Sequence, residues 1–166
     1  MVRKMEKAQV STPSDREVQV VRSFDAPRAL VYRAYTEPAL MQRWLLGSPG
    51  WTMPVCEMDV RVGGRYRWRW RSSESGSEFG FSGEFLEVEP GARMVHTQSF
   101  DPGSANEGAP GGESLVTLTF QEKGGITTVT TQIKFDSREA RDGAVASGMT
   151  DGMERSYQLL DAALAE

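Results

Sequence analysis

The chain has 166 residues, 39% hydrophobic and 9% aromatic, which suits one globular domain with a single core. A formal net charge of −4 excludes a general attraction to nucleic acid or anionic lipid, so a partner of either kind would need a local basic patch. One cysteine, Cys56, excludes an internal disulfide, and no apolar run approaches the ~20 residues of a membrane span.

The opening stretch MVRKMEKAQVSTPSD is polar and mixed in charge, without the apolar segment of a signal peptide. It predicts a flexible tail over residues 1–15, one domain over 16–166 and a cytoplasmic protein. Glu17 to Phe24 follows as a strand, with Val18, Val20 and Phe24 on one alternating face. Asp25-Ala26-Pro27 then ends the strand and starts a helix carrying Leu30, Val31, Ala34 and Tyr35. Glu37-Pro38 breaks that helix, and a second short one over Ala39 to Leu46 carries Leu40, Met41, Trp44 and Leu45.

After the turn-forming GSPG at 47–50 the apolar period changes to two. Six strands are predicted near 53–62, 65–72, 79–89, 93–100, 114–122 and 126–135. The joins are short enough for hairpins except Asp101 to Gly112, a glycine-rich segment expected to be mobile. Ser137 to Ala165 closes the chain as one long amphipathic helix, with Val145, Met149, Met153, Tyr157, Leu160 and Leu164 on one stripe. Gly148 and Gly152 lie inside it and predict a bend or a close approach, since each costs about 1 kcal/mol relative to alanine. A strand, two short helices, a run of antiparallel strands and a long helix make an α+β protein whose sheet buries one face against the last helix.

Within the second of the six strands, Arg65-Tyr66-Arg67-Trp68-Arg69-Trp70-Arg71 alternates cation and ring, so one face is aromatic and the other basic. Glu57, Asp59, Glu84, Glu87 and Glu89 lie on the neighbouring strands, and cross-strand pairing with them is the preferred fate of the arginines and of Arg61. Stacked nucleic-acid bases need rings and cations on one surface, which this alternation separates.

Four segments in order, RSFDAPRALVYRAYTEPALMQRWL, DVRVGGRYRWRW, GEFLEVEPGARMVHT and GMTDGMERSYQLLDAAL, resemble the motifs of the activator of heat shock protein 90 ATPase homologue-like family, within the START-like or SRPBCC superfamily. The resemblance runs from about Glu17 to Leu164. It implies a helix-grip fold, in which a curved antiparallel sheet of about seven strands wraps the long C-terminal helix and two short helices follow the first strand. It also implies a cavity between sheet and helix. Members commonly carry tryptophan where Met153 stands and an aromatic residue where His96 stands.

Candidate site residues follow from the inward faces. Tyr66, Trp68 and Trp70 can stack on a flat apolar ligand or simply fill a core, and both uses call for the same residues. Met149, Met153 and Tyr157 would form the facing wall, with Trp44 nearby. Met94, His96, Gln98 and Phe100 share a face by alternation, so His96 and Gln98 bring polar groups into an apolar interior. A histidine there can also act as general acid or base, although a histidine bonded to a backbone carbonyl is the commoner case and no catalytic partner is evident.

One histidine and one cysteine make no metal site, and no cofactor is expected. The functional expectation is non-catalytic binding of a small hydrophobic ligand. The alternatives are a co-chaperone-like interaction module that stimulates an ATPase, and a cyclase, dehydratase or hydrolase using His96. The partners expected are a small hydrophobic molecule or a chaperone or other protein, with no nucleic acid and no membrane span. A homodimer is compatible with the sequence.

Overall fold

The structure, a computed structural model, describes residues 5–101 and 112–166. Eight strands form one antiparallel sheet: β1 (Gln9–Ser11), β2 (Glu17–Phe24), β3 (Trp51–Met58), β4 (Arg65–Ser72), β5 (Glu78–Glu89), β6 (Arg93–Asp101), β7 (Glu113–Lys123) and β8 (Ile126–Phe135). Their order is β1-β2-β8-β7-β6-β5-β4-β3. The helices are α1 (Arg28–Thr36) and α2 (Pro38–Trp44) after β2, then α3 (Arg138–Ala146) and α4 (Met149–Leu164) at the end. This is the expected α+β helix-grip arrangement, with two differences.

Residues 9–11, which composition alone assigns to a tail, pair with Val21–Gln19 as an edge strand. The adjoining Ala8 N–H donates to Glu154 Oε1 at 2.8 Å, so the segment is held by both the sheet and α4. The sheet therefore has eight strands rather than about seven. The segment expected to be mobile lies, between 102 and 111, outside the described residues.

The final helix is also two helices rather than one. Gly148 adopts φ +87°, a left-handed conformation that costs glycine nothing and other residues strain, and the chain turns there between α3 and α4. Ser147 ends α3 with its N–H on Ala144 and Gly143 carbonyls. α3 has no buried residue, and Val145, expected on the apolar stripe, is exposed. Only the α4 part of the stripe packs inward, through buried Tyr157 and Leu160 and half-buried Met149, Met153 and Leu164.

One part of the core lies where α1, α2 and α4 meet the β2-β8-β7 half of the sheet. Tyr35 packs on Phe120 at 5.3 Å and on Trp44 at 4.8 Å, and Phe24 meets Tyr157 edge-on at 5.7 Å. Strand β2 places Val18, Val20, Arg22 and Phe24 inward. Arg22 is 2% exposed in this apolar row and reaches across to α4, donating to Asp161 at 2.7 and 3.0 Å and to Glu154 at 3.2 and 3.4 Å. Asp161 and Glu154 lie one pair of turns apart on α4, so one guanidinium fixes both the position and the rotation of that helix.

On the convex face the arginine row is neutralised, by a partly different set of acids from the one anticipated. Arg69 pairs with Glu78 and Asp101, Arg71 with Glu78, Arg67 with Glu57, Arg65 with Glu84, and Arg61 with Asp59.

Candidate functional site

The aromatic face of β4 lies on the concave side, as alternation requires: Tyr66, Trp68 and Trp70 are all buried. Their neighbours come from register. Trp68 pairs with Phe81, Trp70 with Phe79, and Phe81 in turn with Phe100 of β6. Phe85 keeps the inward phase of Phe79, Phe81 and Gly83 and stands opposite His96, and the register shift that follows it, between Phe85 and Glu87, leaves Leu86 exposed and sets Val88 opposite Met94. Gly83 faces the Tyr66 ring, where no Cβ fits: one built there would stand 2.8 Å from Tyr66 Cε1 and 2.0 Å from the Thr97 oxygen.

The result is a continuous wall of rings. Tyr66 sits 4.4 Å from Trp68, 5.5 Å from Phe85 and 4.9 Å from His96. Trp70 stacks on Phe79 at 5.2 Å, which continues to Phe81, Phe100 and Trp51. These last four are only half-buried, so the wall runs from a sealed end at Phe85 and His96 to a partly open end at Trp51 and Phe100. Phe79, Phe81 and Trp51 belong to it although they are absent from the set chosen by sequence. The alternation of Phe79 and Phe81 with Gly80 in β5 was the signal that could have included them.

The structure thus brings Tyr66, Trp68, Trp70 and His96 together, with half-buried Gln98 two residues along the same strand. Trp44 and Tyr157 lie elsewhere. The Trp44 indole N–H donates to the Ala34 carbonyl at 2.9 Å and the residue is 1% exposed, a core role between α1 and α2. Tyr157 packs on β2 and β8 through Phe24 and a hydrogen bond with Thr131, and burial pushes its hydroxyl up to about 12. Met149 and Met153 stand half-buried on the first turns of α4, against the common core.

His96 is 3% exposed. Its Nδ1 lies 3.0 Å from the Thr97 carbonyl and 3.1 Å from the Tyr66 hydroxyl, which itself donates to the same carbonyl at 2.6 Å. Burial pulls the imidazole down to about 4, with the Thr97 carbonyl opposing, so the ring is neutral at pH 7. Burial pushes the Tyr66 phenol well up.

Among the indoles, Trp70 donates to the Leu45 carbonyl at 2.6 Å, as Trp44 does to Ala34. Trp68 differs. Its Nε1–H is buried and has no hydrogen-bond partner among the described residues. An unsatisfied buried donor costs about 1–3 kcal/mol, and such groups in native proteins are few. The Tyr35 hydroxyl in the helix-covered half is the other side-chain atom in this condition among the described residues.

Two recesses lie away from this wall. A groove of about 630 Å³ runs beside α4, lined by Lys7, Arg22, Asp25, Glu154, Asp161 and Leu164 among others, and a shallower one of about 500 Å³ lies around Ser14–Glu17 and Lys134. Among the described residues no group of three or more His, Cys, Asp or Glu is placed to hold a metal ion, and no helix is long and apolar enough to cross a membrane.

Residues 25–165 match the model of the family described as activator of Hsp90 ATPase homolog 1-like protein. The chain belongs to this family. A solved structure from Rhodobacter sphaeroides is similar at 31% identity and a TM-score of 0.86, covering 96% of this chain and 99% of that one. One from Chromobacterium violaceum has 27% identity and a TM-score of 0.77, over 92% and 99%. For the fold alone, an AHSA1-like protein from Aeromonas hydrophila aligns at 21% identity and a TM-score of 0.66, over 89% and 95%. No curated protein matches the chain. Family and fold together fit a ligand-binding or co-chaperone-like module.

Proposed function

We propose that this protein binds a small hydrophobic molecule between the aromatic face of β4–β6 and α4, without converting it chemically. One atom supports this most directly: the Trp68 Nε1–H, buried in a wall of rings and left without a partner where the neighbouring indoles have theirs. A ligand acceptor at that point would recover the cost of burying it. The nitrogen has no accessible surface, so entry requires side chains over the face to part. The half-open rings of Trp51, Phe79, Phe81 and Phe100 mark the end from which an apolar molecule would enter.

Catalysis through His96 has less support. A ring held near 4 is a weak base at neutral pH, far from the value that suits a general acid or base, and its Nδ1 is already engaged. Native mass spectrometry of the purified chain, then titration with a panel of apolar metabolites followed by tryptophan fluorescence, tests the proposal. The expected result is a one-to-one ligand whose affinity falls in Trp68→Phe. If no panel member binds near its solubility limit, the proposal fails.

The family description supports a second reading, a protein-interaction module that stimulates an ATPase. A pull-down against the cognate heat shock protein 90, with its ATPase rate measured in the presence of this chain, decides it: an unchanged rate and no complex remove it.

A further inference from the structure

The two edges of the sheet are built differently. β3 ends it with exposed Pro54 and Glu57 and an irregular register between Thr52 and Val55, features that deter a further strand from pairing. β1 ends it with Gln9-Val10-Ser11, which are exposed, uncharged and free of proline. With the residues just before it, β1 makes a strap over residues 5–11. The strap is held by the pairs Gln9 with Val21, Val10 with Val20 and Ser11 with Gln19, and by the Ala8 N–H, which donates to Glu154 Oε1 at 2.8 Å. Met5 and Lys7 line the groove of about 630 Å³ beside α4.

That groove suits the strap better than a small anion. All five N–H donors of its Arg22 are spent within the protein: Nε on Glu154, Nη1 on Asp161 and the Ser23 carbonyl, and Nη2 on Glu154 and Asp161. Glu154 in turn takes its shortest hydrogen bond from the strap, since those from Arg22 and Gln158 measure 3.2 to 3.4 Å. The connection from strap to β2 is slighter. Residues 9–16 are all exposed, and Arg141 Nη1 ties the Ser14 carbonyl to α3 at 2.8 Å, which leaves Thr12-Pro13 as the hinge. Pro13 has no N–H to hold it there, and the residue before a proline favours extended backbone, so the strap moves as a straight arm.

We propose that this end of the sheet is a self-association surface at which two copies of the chain exchange straps, residues 5–11 of each lying on β2 and α4 of the other. The closed chain already displays the occupant that fits. Each contact the strap makes at home is offered unchanged by a second copy, so exchange costs mainly the joining of two chains and grows with concentration. Glu154 then receives the partner's Ala8 N–H, and the partner's Met5 and Lys7 complete the groove. Pairing of β1 on β1 without exchange would join only three residues from each copy, too few to hold two domains together.

Cysteine pairs placed across the register test this on the full chain, in a Cys56→Ser background. Ser11→Cys with Gln19→Cys and, separately, Gln9→Cys with Val21→Cys set Cα partners about 5 Å apart, within reach of a disulfide. Each variant is equilibrated over a range of concentrations, oxidised, denatured and separated without reductant. A strap on its own β2 closes a disulfide inside one chain, whereas an exchanged strap links two chains. We expect the linked fraction to rise about tenfold for a tenfold increase in concentration while it is still small, and peptide mapping to join position 11 to position 19. Light scattering on the unmodified chain should show dimers over the same range. Disulfides confined to single chains beside a dimeric unmodified protein, or links of position 11 to position 11, place the interface elsewhere and overturn the exchange. An unmodified chain that stays monomeric at every concentration overturns self-association altogether. Because scattering is read on the unmodified chain, a variant that fails to fold does not protect the proposal.

Discussion

His96 is the chain's one histidine, so its titration can be followed without interference from another imidazole. Burial lowers its pKa in the folded state from 6.5 to about 4, and between these values the unfolded chain takes up a proton that the folded chain refuses. Its contribution is thus fully present above about 6.5 and is lost as pH falls toward 4. Chemical denaturation at pH 7.5 and pH 5 should differ by roughly 2 kcal/mol, and His96→Phe should remove most of that difference. Gly83 makes a separate demand, since a methyl group there would overlap the Thr97 carbonyl and the Tyr66 ring. Gly83→Ala should cost about 1–3 kcal/mol and lower the melting temperature accordingly. Alternation in the sequence was enough to put Tyr66, Trp68 and Trp70 on one face. Which indole would lack a partner was not legible, because that depends on where the carbonyls of Ala34 and Leu45 arrive in space.

Among the elements, α4 is the one whose placement depends most on a single side chain. Arg22 occupies an inward slot of the Val18-Val20-Arg22-Phe24 row, and its carboxylates are 132 and 139 residues away in the chain, so sequence spacing gave no sign of the pairing. Burial works against the guanidinium charge, but hydrogen bonds to Asp161 and Glu154 outweigh it and raise the Arg22 pKa. Burial likewise works to raise Glu154, whereas Arg22 and the Ala8 N–H prevail and lower it. With a depressed folded value, Glu154 stabilises above the ordinary carboxylate pKa of 4.5 and loses that contribution as pH falls through the folded one. Arg22→Met strands two acids at a largely buried site and should destabilise the protein by about 3–5 kcal/mol in urea titration. The α3–α4 joint belongs to the same scale. The sequence carries one uninterrupted apolar stripe there and also a glycine, and the left-handed Gly148 prevails because α3 buries no side chain that would hold it in line. Gly148→Ala should cost about 1 kcal/mol, read from the denaturation midpoint.

Across the whole molecule, charge and apolar surface are separated by the two faces of one sheet. The convex arginines sit in solvent-exposed pairs such as Arg67 with Glu57, at 3.8 Å and more than half exposed on both sides. Arg67→Ala should therefore change stability by less than about 0.5 kcal/mol, with little dependence on salt in the melting curve. By itself the sequence determined the order of elements, the α+β class, the family and the division of β4 into aromatic and basic faces. All of these follow from local periodicity and from motifs read in order along the chain. Only the tertiary structure decided that residues 9–11 join the sheet, that the last helix breaks at Gly148, that Arg22 holds α4, and that the Trp68 Nε1–H is buried without a hydrogen-bond partner among the described residues. Each of these turns on pairs of groups far apart in the chain, and the balance of burial against hydrogen bonding at such pairs exists only once the chain has folded.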